Sequence, residues 1–499
     1  MYGNETQSTR VIQLGKSLLV TMVLIILAVA FGLFLGNLVI SPNWEDAVRL
    51  VVMGGLAVAI LMSPVNGLLL WMIIAPYAQA SFTEIWRILN IRMPPGIPDL
   101  TPDRLAVGLL SVVFVAQLAI GKRRVRRLGP EVFMVMFCVM VLPAVAAGLG
   151  GINSTGQVLL DRFITPFLVF ALAKNLYEEK SGLEKLSATL AVIGIYLSFM
   201  IFYEHLTGQP LFTGIGRTTV YSRSLRKIVS LLGNPAFLGT VLGMIVPIAL
   251  FRFVRERSPY ARVFYGALFV TTLFGNFFCY NRGAWLALAA ALLVLLFERQ
   301  YRRILLPIVL IGALVGLLYW QAISASAVVA ERLTNISSIR FRLDLLEVSQ
   351  KIIRDHLLFG VGVGNFAYYY LQYGGHWETL AYDLPSPHNT YVLIFSTMGL
   401  VSVVPYVLIF ASMFLQMVAM LRRSERDDRV DRALLMSGLA VIVVYTVSAA
   451  AVDLYVNTFT SLVFFLITGT ILGYVSHLRS SQPRAQETRA ESGSTVTGA

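Results

Sequence analysis

The chain has 499 residues, 57% hydrophobic and only 13% charged, with a formal net charge of +13. Soluble domains carry roughly twice that share of charge, so a water-soluble globule is excluded and an all-α integral membrane protein is expected, a polytopic bundle of spanning helices. The surplus cations sit in short loops between apolar runs, as the positive-inside rule demands, which argues against a nucleic-acid partner; Cys138 and Cys279 lie inside apolar runs and spell neither a disulfide framework nor a metal motif.

A helix needs about 20 apolar residues to cross the hydrocarbon, and on that rule the chain holds about 14 spans, with about 12 as the lower bound. They run near 17–38, 47–63, 65–80, 103–121, 131–148, 157–174, 185–204, 228–251, 263–280, 283–298, 304–322, 389–420, 433–451 and 457–477. The first is too long for a cleavable signal peptide and lacks a small-residue cleavage site, so it is expected to stay as a span. The second and third are separated only by Ser63-Pro64, and the ninth and tenth meet at Tyr280-Asn281-Arg282. The span at 389–420 is long and is expected to tilt or to extend past the bilayer. The organisation is then an N-terminal segment (1–16), eleven spans (17–322), a large loop with short helices (323–388), three spans (389–477) and a disordered Ser-, Thr- and Gln-rich tail (478–499).

Orientation follows from the arginines. Lys122, Arg123, Arg124, Arg126 and Arg127 fall in one loop, Arg252, Arg255 and Arg257 in a second. Arg299, Arg302 and Arg303 fall in a third, and Arg422, Arg423, Arg426 and Arg429 in a fourth. All lie on one side if the spans alternate, and that side is the cytoplasm, with both termini. The other side holds residues 81–102 with Pro94, Pro95 and Pro98, residues 205–227 with Arg217, Arg223, Arg226 and Lys227, and the large loop. Cations kept on an outer face pair either with lipid phosphate or with a bound anionic ligand.

Within the large loop a helical pattern begins at Arg342, with Leu345, Val348 and Ile352 on one face. Glu347 and Lys351 have the spacing of an i, i+4 ion pair. The pattern stops at Gly360-Val361-Gly362-Val363-Gly364, whose glycines allow close backbone approach and are expected to pack the loop against the membrane domain. Tyr368, Tyr369, Tyr370, Tyr373, Trp377 and Tyr382 follow, a set that suits either an interfacial belt or stacking on sugar rings. Then comes Pro385-Ser386-Pro387-His388-Asn389-Thr390-Tyr391, a histidine pinned by prolines at the mouth of an apolar run. A ring that titrates near neutral pH at such a place points to proton transfer, or else to a helix cap or head-group contact. Asp161-Arg162 is expected to be an internal ion pair or a snorkelling pair, and Asp453 an ordinary loop residue.

The order Arg342-Leu343-Asp344-Leu345-Leu346, then Asp355 to Gly364, then Pro387-His388-Asn389-Thr390-Tyr391, then Gly399-Leu400, resembles the O-antigen ligase/polymerase superfamily. Asn234-Pro235, Asn281-Arg282-Gly283-Ala284 and, more weakly, Tyr203-Glu204-His205-Leu206-Thr207-Gly208 extend the resemblance over roughly residues 200 to 415. Two positions depart from the family pattern: Leu357 stands where proline is usual and Ser402 where glycine is usual.

The resemblance implies a bacterial inner-membrane glycosyltransferase that works without metal or cofactor. Its donor would be a glycan on undecaprenyl diphosphate, presented at the periplasmic face among membrane lipids. Its acceptor would be a hydroxyl of another glycan (polymerase) or of lipid A-core (ligase). The residues suit that chemistry: a leaving diphosphate gathers negative charge, which arginine stabilises with planar, permanently charged donors. Arg282 and Arg342 are the expected catalytic cations, with Arg217, Arg223 and Arg340 as supporting substrate contacts. His388 is the expected general base on the acceptor hydroxyl, and Asn389 is expected to orient it or touch substrate. A large outer loop favours polymerase over ligase. The competing reading is a transporter or flippase, which would bury charge at mid-membrane and show related halves.

Overall fold

The computed structural model describes residues 44–81, 101–126, 129–177, 179–211, 221–222, 225–226, 228, 230–319, 337–375, 386–424 and 431–480. The expected first span, the proline-rich stretch at 82–100, Arg217, Arg223, Trp377, Tyr382 and the tail beyond Ser480 lie outside the described residues, as do 323–336 and 376–385 of the large loop.

The described chain is helical apart from one hairpin, β1 (Tyr221–Ser222) and β2 (Leu225–Arg226). The helices are α1 (Trp44–Met62), α2 (Pro64–Ser81), α3 (Pro102–Ala119), α4 (Pro130–Met140), α5 (Leu142–Ala146), α6 (Gly151–Leu159) and α7 (Thr165–Leu176). Next come α8 (Lys180–Thr207), α9 (Pro235–Arg255), α10 (Pro259–Phe278), α11 (Arg282–Leu295) and α12 (Arg299–Leu318). The last six are α13 (Ser337–Asp355), α14 (Phe366–Gln372), α15 (Thr390–Met398), α16 (Leu400–Ser424), α17 (Arg432–Ala449) and α18 (Thr458–Ser480). Among the described residues, 8 helices are long and apolar enough to cross a membrane: α3, α6 running through into α7, α8, α9, α10, α16, α17 and α18. Val48–Met62, Pro64–Ala78, Pro130–Ala146 and Arg282–Leu295 are shorter apolar helices. The chain is a multi-pass membrane protein.

Proline and short polar caps set the helix starts. Asn234, Asn281, Asn389 and Asp431 each accept a backbone N–H of the first turn they precede, replacing a partner the helix cannot supply itself. The centre of the bundle is α9, α17 and α18, packed against α7, α10 and α11. Gly469 and Gly473 of α18 face the backbone carbonyls of Phe170 and Lys174 on α7, where a Cβ has no room; small residues let spanning helices approach this closely. An aromatic layer of Phe163, Phe167, Tyr406, Phe410, Tyr445 and Phe464 ties α7, α16, α17 and α18 together, with Tyr445 stacked on Phe464 at 4.2 Å.

The apolar run at 389–420 is not one span. It breaks at Gly399, whose φ of +77° ends α15 before α16 begins. Backbone groups freed by a break inside a membrane protein need partners within the protein. The stretch 357–364 supplies them. The Leu400 and Val401 amides donate to the Leu357 and Leu358 carbonyls at 2.9 and 3.3 Å, and the Val361 and Gly362 amides donate to Ser396 and Thr397 carbonyls at 3.0 and 2.9 Å. On its other side Val363 exchanges hydrogen bonds with Ala144 and Leu149 at the α5–α6 corner. The glycine-rich stretch is thus a strap wedged between two helix turns, and it anchors α13. Leu345, Val348 and Ile352 of α13 are buried as their periodicity predicts, and Glu347 pairs with Lys351 at 3.0 Å.

Candidate active site

Cations pair with carboxylates at both ends of the bundle. At one end Arg252 lies with Glu256 at 2.6 Å, Arg255 with Asp431 at 2.6 Å, Lys174 with Glu131 at 2.6 Å and Arg432 with Glu298 at 3.4 Å. At the other end Arg104 pairs with Asp161 at 2.6 Å, whereas Arg162, Arg282 and Arg342 form no salt bridge among the described residues.

Three elements converge at that second end. The turn before α15 carries His388, the turn between α17 and α18 carries Asp453, and α13 lies over both. Nδ1 of His388 is 3.8 Å from Oδ2 of Asp453, and the Phe341 ring of α13 lies 6.1 Å from the imidazole, centre to centre. Ser386 donates its hydroxyl to the same Asp453 oxygen in a very short hydrogen bond. Thr390, fully buried, fixes the two turns to each other: its hydroxyl donates to Val452 O and accepts the Leu454 N–H, both at 2.9 Å. Tyr391 adds a bond from its hydroxyl to Thr446 O at 3.2 Å. His388 itself has φ of +50°, a left-handed backbone that non-glycine residues adopt at a cost and that clusters at functional positions.

The electrostatics of the site follow from burial. Asp453 is only 5% exposed, and loss of water raises its carboxyl pKa above the usual carboxylate value. The Ser386 hydroxyl, the His388 ring and the backbone N–H groups of Asn389 and His388 oppose that rise. Arg342 has its pKa pushed down, first by loss of water, then by the neighbouring guanidinium of Arg282, against the pull of Asp453. The side chain as a whole still reaches solvent. Two like charges held within reach of one another, with neither in a salt bridge, suit an anionic ligand.

Of the expected residues, His388, Arg342 and Arg282 are brought together. Arg340 lies one turn-half earlier on α13, two residues from Arg342. Asn389 has another role: Oδ1 accepts the amides of Tyr391 and Val392 at 3.0 and 3.2 Å, so it caps α15 and its carbonyl oxygen is committed there. Asn281 does the same for α11, accepting the Ala284 amide at 2.9 Å, and thereby places Arg282 at the mouth of that helix. The preceding Tyr280 has φ of +52° and its hydroxyl lies 3.4 Å from Nδ1 of His205.

Asp453 is the residue that sequence reasoning missed. It is separated from His388 by 65 positions, and no local pattern announces the pairing. Asp161 does form an ion pair, but with Arg104, in a two-pronged contact at 2.6 and 2.7 Å. It sits in a single π-helical turn, Leu160–Ile164. From that turn Arg162 lies over the Tyr455 ring at 5.8 Å, and Phe163 stacks on the same ring at 5.1 Å, so the turn buttresses the segment that carries Asp453.

Residues 267–407 match the family model described as O-antigen ligase. The match covers Arg282, Arg342, His388 and the strap, and it supports assignment of this stretch to the O-antigen ligase superfamily. No curated protein matches the chain.

Proposed function

We propose that this membrane protein is a glycosyltransferase of the ligase/polymerase type, moving a glycan from a polyprenyl diphosphate to a hydroxyl acceptor. The observation that carries the reading is the meeting of two mutually repelling guanidinium groups, Arg282 and Arg342, with the His388–Asp453 pair.

The acceptor oxygen attacks C1 of the donor sugar, and the bond from C1 to the diphosphate oxygen breaks. The electron pair leaves with the diphosphate, and the stereochemistry at C1 inverts. Arg282 and Arg342 take up the charge that builds on the leaving group, a contribution worth about 3–4 kcal/mol for a well-placed donor. The acceptor proton passes to His388, a step worth roughly 10²–10⁴-fold in rate. Asp453 faces Nδ1 of the ring, and its charge favours the imidazolium that results. Undecaprenyl diphosphate is the donor carrier that the family match favours, and the arginine distribution in the sequence supports a site at the periplasmic face of the inner membrane. The large outer loop read from the sequence favours a polymerase over a lipid A-core ligase.

The test is the glycan profile of a strain lacking the gene, complemented with wild type, His388→Ala or Arg342→Ala. Short glycans still attached to their acceptor mark loss of a polymerase, and long unattached glycans mark loss of a ligase. Lipid-linked donor retained on the cytoplasmic side in the variants overturns the enzyme reading in favour of a flippase.

A further inference from the structure

Leu357, Leu358 and Phe359 are 46, 53 and 51% exposed where α13 gives way to the strap. Three consecutive exposed apolar side chains are a liability on a surface bathed in water. Their position in the fold says what covers them. The carbonyls of Leu357 and Leu358 accept the Leu400 and Val401 amides, so this turn is level with the first turn of α16. On α16 the exposed residues from that turn onward are apolar as well: Leu400, Val404, Val407, Phe414 and Leu415, which share one helical face. That helix is long and apolar enough to span, and Arg422 and Arg423 stand exposed in its last turn. The 22 positions from Leu400 to Arg422 (422 − 400) cover about 33 Å at helical rise. The hydrocarbon is about 30 Å thick, so charge at one end of α16 puts Leu400 at the other edge of the apolar layer.

We infer that the Leu357–Phe359 turn packs against phospholipid acyl chains at the edge of the apolar layer, in the leaflet at the His388 end, continuous with the lipid-facing side of α16. The α13–strap unit is then an interfacial membrane element, with Asp344, Glu347, Lys351 and Arg354 exposed on α13 toward head groups and water. This holds whatever reaction the site performs.

The experiment places a nitroxide on Phe359→Cys, and in parallel on Leu358→Cys, in a chain carrying Cys138→Ala and reconstituted in phosphatidylcholine–phosphatidylglycerol nanodiscs. Collision with oxygen is compared with collision with a water-soluble nickel chelate. Labels at Val404→Cys and Gln350→Cys calibrate lipid and water. The expected result is oxygen accessibility exceeding nickel accessibility at 358 and 359, as at 404. Nickel accessibility exceeding oxygen, as at 350, overturns the inference. So does loss of both collisions together with spin–spin broadening, because a second copy of the chain would then cover the turn.

Discussion

The imidazole of His388 faces a carboxylate, Asp453, that folding has taken almost entirely out of water, with Nδ1 and Oδ2 3.8 Å apart. Burial raises the Asp453 pKa, so the folded chain holds that proton more tightly than the unfolded chain. The stabilising contribution of this group is present at low pH and is lost as pH rises through its folded value. Ionising the buried carboxylate therefore costs stability, and Asp453→Asn is expected to melt no lower than wild type. Its turnover is expected to fall by about 10²-fold or more. The acid limb of its pH–rate profile is expected to move to lower pH, because the carboxylate that favours a protonated ring is gone. Thermal melts and a pH profile on the purified protein check the three together.

Arg282 and Arg342 repel each other and form no salt bridge among the described residues. Alanine at either position is expected to lower turnover by roughly 10²–10³-fold without lowering the melting temperature. Lysine is expected to restore only part, since it lacks the two-pronged planar donor. Release of polyprenyl diphosphate from a lipid-linked donor is the measurement.

Asn389 caps α15 through Oδ1. Serine or aspartate also caps, so Asn389→Ser and Asn389→Asp are expected to keep most of the activity, while Asn389→Ala loses about 1 kcal/mol of stability. A large loss in the serine variant with an unchanged melt would show that Asn389 contacts substrate instead. Comparing melts with turnover across the three variants separates the roles.

Much of this site can be read from residue order. Asn389, expected to orient His388 or touch substrate, instead caps α15, while the buried face of α13 and the Glu347–Lys351 pair follow from local spacing. So does the nomination of His388 with two arginines. What local pattern could not show depends on contacts far apart in the chain. Asp453 is an isolated acid until the α17–α18 turn meets the His388 turn. Asp161 finds Arg104 57 positions away. The break at Gly399 is hidden because hydropathy stays high across it, and only the strap's hydrogen bonds make an interrupted helix tolerable.

Thr390→Val removes the hydroxyl that joins the His388 and Asp453 turns, and the Leu454 amide keeps only Val452 O, at 3.0 Å. The expected cost is about 1–3 kcal/mol, with Thr390→Ser restoring it. Denaturant or thermal unfolding in detergent measures the difference.

Gly399→Ala and Gly360→Ala are expected to be among the most damaging changes outside the site. A Cβ at Gly399 meets the Leu358 carbonyl and one at Gly360 meets the Thr397 backbone, both with positive φ. Expression and monodispersity in detergent are expected to collapse for both, whereas Gly374→Ala, in open space, is expected to cost only its backbone strain.

The strap also imposes an order on biogenesis. Residues 357–364 and the α5–α6 corner that flanks them are synthesised before Gly399 leaves the ribosome. When the interrupted helix is released from the insertion machinery, the chain that will complete its hydrogen bonds already exists.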